Sequence, residues 1–159
     1  MANREILLPI PTTVDSSNPP GLTTDAEDAV MAFDASTQEY CRWTFQMPGS
    51  FDGFVSFEGQ LSMDTATSGN VVLNIEFMAA SDDEAIGSES FDTANALTVA
   101  APGTAGNVKN FTVTCTNLDS LVADDYIKMK FSRDAADGSD TATGDMFLRT
   151  AKLRYSSNC

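Results

Sequence analysis

Four aspartates set among small residues, Asp134, Asp137, Asp140 and Asp145, occupy the stretch from Arg133 to Asp145. Clustered carboxylates on a flexible, glycine-containing loop are what calcium seeks. The spacing is not that of an EF-hand, because the closing glutamate and the run of alternate ligands are missing. The stretch reads instead as a solvated hairpin loop whose Asp and Thr side chains hydrogen-bond nearby amides, and no metal ligands are assigned. Asp82, Asp83 and Glu84 form a second solvated acidic run. A pair of carboxylates could also hydrolyse a glycosidic bond. Glu58 and Glu76 both lie on strand-like runs, on the parity opposite the apolar residues, so they could be neighbours on a sheet surface. Nothing in the sequence sets them across a cleft, and they read as wet-face glutamates.

The chain has no histidine. That removes the commonest general base and metal ligand and makes a Ser-His-Asp triad impossible. Phosphate-cradling glycine motifs are also missing, so neither catalysis nor a cofactor is expected. Cys41, Cys115 and Cys159 have no zinc or CxxC spacing. The first two fall on apolar parities and read as buried thiols, the last as an exposed one. Trp43 shares its parity with Cys41, Phe45 and Met47 and belongs in a core. Tyr40 and Phe54 are the candidates for exposed aromatics that could stack on a sugar.

These residues need strands to hold them. Glu39 to Met47 alternates apolar and polar side chains, as do Phe54 to Met63, Val71 to Ala79, Lys109 to Thr116, and the two runs around the Asp-rich loop. With Ala29 to Asp34 and Asn95 to Ala101, eight strands follow one another at short intervals and no amphipathic helix is expected. The sequence predicts an all-β, two-sheet antiparallel sandwich over residues 28–159, with a jelly roll favoured over an immunoglobulin-like topology. Residues 1–27 hold four of the six prolines and read as an extended N-terminal arm. Within it, Ile6 to Pro11 could pair as a short edge strand or lie on a neighbouring subunit, which makes Ile6, Leu7, Leu8 and Ile10 its candidate partner-binding residues.

At 159 residues the chain is one domain with enough material for a core. Its formal charge of −14 opposes direct nucleic-acid binding, which needs clustered Lys and Arg. No run approaches the roughly 18 apolar residues of a membrane span. The N-terminus lacks the apolar core and cleavage site of a signal peptide, so a cytoplasmic start is expected.

One resemblance spans about residues 28–155. The pieces Asp119-Ser120-Leu121, Asp124-Asp125-Tyr126-Ile127, Phe131-Ser132-Arg133-Asp134, Asp140-Thr141, Gly144-Asp145 and Leu153-Arg154-Tyr155 carry it. Phe33-Asp34, Trp43-Thr44-Phe45, Met47-Pro48 and Ala66 to Val72 add to it. Together they resemble small jelly-roll virion proteins of tailed bacteriophages. The resemblance implies a non-enzymatic capsid decoration or cement protein on the outer surface of a phage head. It would be assembled in the host cytoplasm, bind the major capsid protein and itself, and form a homotrimer. It also implies a structural tie in the loop, with Arg133 paired to Asp134, Asp140 or Asp145. The alternative is a receptor- or carbohydrate-binding jelly roll of a phage fibre or tail, which would bind glycans through an exposed aromatic patch. A cellular carbohydrate-binding module and a calcium-dependent adhesion domain are further alternatives.

Overall fold

Alternation of period two, broken at Gly, Pro and Asn, divides the chain into strands. The structure is a computed structural model that describes residues 2–158. It contains β1 (Ala2–Leu8), β2 (Thr13–Val14), β3 (Gly21–Asp25), β4 (Asp28–Phe33), β5 (Glu39–Gln46), β6 (Phe51–Met63), β7 (Asn70–Ala80), β8 (Asn95–Ala100), β9 (Lys109–Cys115), β10 (Tyr126–Arg133) and β11 (Met146–Ser157). Cys159, expected to be exposed, lies outside the described residues.

Every pairing is antiparallel. Sheet A has the order β3-β4-β11-β6-β9, with β1 also paired to β11, and sheet B has the order β2-β5-β10-β7-β8. Strands β4 to β11 therefore give β4-β11-β6-β9 facing β5-β10-β7-β8, with only β7 and β8 consecutive in one sheet. That winding is a jelly roll, as the strand pattern predicts. These eight strands match the eight expected from sequence, and three more lie in residues 1–27.

The two inner faces meet in an aromatic core. Phe131 of β10 stacks on Phe57 of β6 at 5.5 Å and meets Phe33 of β4 edge-on at 5.2 Å. Phe111 of β9 stacks on Phe57 at 5.9 Å. Its ring lies where Gly59, its cross-strand partner, has no side chain: a Cβ there would come within 2.6 Å of the ring. Cys41 and Cys115 are buried free thiols, and desolvation pushes the Cys115 thiol up to about 12.

The first 27 residues run extended, but along this chain's own body. In β1, Ala2 to Leu8 pair with Ser157 to Ala151 of β11. The chain then crosses to sheet B, where Thr13 and Val14 pair with β5, and returns to pair β3 with β4. At the crossing the Trp43 indole N–H donates to the Pro9 carbonyl at 2.7 Å. The segment buckles the two sheets together along one edge of the sandwich.

Candidate functional site

A bulge in β11 sets the chemistry of the outer face of sheet A. The register against β6 shifts between Leu148 and Thr150, so Leu148 and then Leu153 point into the core while Thr150, Lys152 and Arg154 point out. Arg149, in the bulge, donates to Ser62 at 2.8 Å and pairs with Asp25 of β3. Beyond it, β1, β11, β6 and β9 present their wet parities side by side. They line an open groove of about 470 Å³, within the usual range for ligand sites.

Amides and hydroxyls form a row across the groove. Thr150 Oγ1 donates to Gln60 Oε1 at 3.1 Å, and Gln60 Nε2 donates to Asn110 Oδ1 at 3.0 Å. Thr112 follows on β9. This chain of bonds fixes the Gln60 and Asn110 amides. Leu7 of β1, 77% exposed, supplies the apolar wall.

Beside the row, four charges cancel. Lys152 reaches Glu5 at 2.9 Å and Glu58 at 3.2 Å, and Arg154 reaches Glu5 at 3.1 Å and Glu58 at 3.2 Å. Hydrogen bonds from Lys152 and then Arg154 hold the Glu5 carboxyl below its ordinary range. Glu5, then Glu58, hold Lys152 above its own. Two carboxylates and two cations leave the quartet neutral.

Glu58 and Glu76 are not neighbours. Glu58 lies on the outer face of sheet A, while Glu76, on β7, lies on that of sheet B and is paired with Lys130 at 2.7 Å. The hydrophobic core separates them, so they cannot flank one glycosidic bond. Tyr40 and Phe54 are likewise apart. Tyr40 is half-buried on the outer face of sheet B. Phe54 is 45% exposed on β6, about 20 Å from Gln60 along the strand.

The Asp-rich loop is tied from within. Arg133, fully buried, donates through Nε and Nη2 to both oxygens of Asp140, at 3.0 and 2.8 Å. It also donates to the carbonyls of Gly144 at 2.8 Å and Ala142 at 2.6 Å. Asp140 in addition accepts the Val72 N–H at 3.0 Å. Asp134 accepts instead from Asn74 at 3.2 Å. Asp145 sits near Asp34 and Asp64, where burial and then those two charges raise its carboxyl above the ordinary range. Among the described residues no group of three or more His, Cys, Asp or Glu is placed to hold a metal ion.

Of the arm residues singled out from sequence, Ile6 and Leu8 are half-buried and pack against the core. Leu7 and Ile10 remain exposed and, with Leu22, rim an apolar cleft of about 380 Å³ that Trp43 also lines.

No family model matches the sequence, and no curated protein does. Solved structures share its fold at low identity. A xylan-binding module, CBM15, superposes with a TM-score of 0.53 at 12% identity, covering 99% of this chain and all of that one. A cycloisomaltooligosaccharide glucanotransferase from Paenibacillus sp., complexed with cycloisomaltoheptaose, gives a TM-score of 0.51 at 9% identity. That match takes in 93% of this chain but only 18% of the glucanotransferase. At these identities the likeness is one of fold.

Proposed function

We propose that the protein is a non-enzymatic, glycan-binding jelly roll whose ligand lies across the outer face of sheet A. The row Thr150, Gln60, Asn110 and Thr112, fixed in an open groove, carries this reading. Amides and hydroxyls both donate and accept, as sugar hydroxyls do. Four strands span roughly 14 Å, enough for about three pyranose rings. The neutral quartet beside the row favours an uncharged glycan. Glu58 and the neighbouring carboxylate Glu5 are both tied to the same two cations, Lys152 and Arg154, which favours binding over hydrolysis.

An open groove with one apolar wall supports modest affinity, a Kd of about 0.1–1 mM, or roughly −5.5 to −4 kcal/mol. The setting we propose is the outer surface of a phage particle, as part of a fibre or tail. Sequence resemblance alone supports that setting. The segment that would clamp a neighbouring subunit of a decoration protein spends its backbone hydrogen bonds on β11 and β5 of its own chain.

Electrophoresis through native gels containing xylan, mixed-linkage β-glucan or galactomannan tests the reading. At least one neutral polymer should retard the protein. The double variant Gln60→Ala/Asn110→Ala should run as in a blank gel while melting at the parent temperature. Unaltered mobility in every polymer, or a double variant that is still retarded, would overturn it.

A further inference from the structure

The outer face of sheet B differs from the neutral groove in its electrostatic character. In a chain of net charge −14, β5 and β10 place Arg42 directly across from Lys130, with Lys128 two residues further along. Like charges facing each other across strands destabilise a sheet. Among the described residues, Glu76 is the only carboxylate paired with any of the three, and Arg42 and Lys128 make no ion pair. The Arg42 Nε is buried without a hydrogen-bond partner. Aromatic rings hold these cations in place. Tyr40 lies 5.1 Å from the Arg42 guanidinium and 5.6 Å from Lys130, and Phe91, from the loop after β7, covers Lys130 at 4.6 Å.

The geometry points to a second saccharide site on this face, selective for sugars that carry a carboxylate, the hexuronates. The Nη nitrogens of Arg42, one of which donates to the Tyr40 hydroxyl at 3.5 Å, offer donors to a carboxylate, and the edges of the half-buried Tyr40 and Phe91 rings can meet the apolar side of a pyranose. A uronate spaces its charges one per ring, matching cations interleaved with aromatics. A phosphate backbone requires denser cations than these three. The choice of ligand class rests on the glycan-binding reading; the groove on sheet A plays no part in the site.

The test is a titration of the full chain, followed by NMR, with short oligomers of galacturonate, mannuronate and glucuronate and with their methyl esters. The esters keep the rings and remove the charge. At least one acid should shift the Arg42 Nε–H and the Tyr40 and Lys130 amides. Affinity should fall at least about tenfold on esterification, and also in Arg42→Gln/Lys128→Gln, as loss of charge-assisted hydrogen bonds requires. It should be unchanged in Gln60→Ala/Asn110→Ala, so that this site and the groove stand or fall separately. The proposal is overturned if no uronate shifts these signals, if the esters bind as well as the acids, or if a polyglutamate peptide produces the same shifts.

Discussion

Arg133 is the residue on which the Asp-rich loop depends most. Its charge is fully buried and balanced by Asp140, itself only 1% exposed at the side chain, and two carbonyls take two more of its donors. Removing one partner leaves an uncompensated buried charge, which costs about 3–5 kcal/mol. Arg133→Met and Asp140→Asn should each lose that much stability in denaturant unfolding. The double variant should lose clearly less than the sum of the two, because the partners form one unit. Additive losses would contradict the tie. The sequence singled out Arg133 with three possible acceptors. Only the chain path around the loop decides among them: it turns Asp134 toward Asn74 and leaves Asp145 beside Asp34.

At the scale of elements, strands with one buried and one wet face were legible, and the others less so. In β10, Ile127, Met129 and Phe131 are all fully buried against the opposite sheet, and their alternation is plain in the sequence. Strand β3, Gly21–Asp25, is exposed along nearly its whole length; its hydrogen bonds to β4 hold it, and a backbone ladder leaves no apolar signature. β1 was legible in part: Ile6 to Pro11 read as either a short edge strand or a segment lying on a neighbour, and the strand runs from Ala2 to Leu8. The amide row was invisible because Gln60 and Asn110 meet only through sheet order, fifty residues apart.

The N-terminal segment therefore has a measurable role. A chain beginning at residue 28 leaves the Ala151–Ser157 edge of β11 unpaired and uncovers Trp43, and unpaired edges recruit other chains. Thermal melting should fall markedly, and light scattering should reveal more association than in the full chain. An unchanged melt and the same scattering as the full chain would show that the buckle is dispensable.

At the scale of the whole molecule, the sandwich carries two outer faces of different character. Sheet A bears a neutral groove lined by amides and hydroxyls; sheet B bears cations set among aromatic rings. Composition alone conveyed only the average of these faces, a strongly negative protein. The most direct measurement follows the side-chain amide signals of Gln60 and Asn110 while neutral xylo- and gluco-oligosaccharides are added. Saturable shifts confined to the groove, and insensitive to salt because the groove is neutral, are the result expected. Signals that stay fixed to saturating sugar, or that move only on sheet B, would contradict the account.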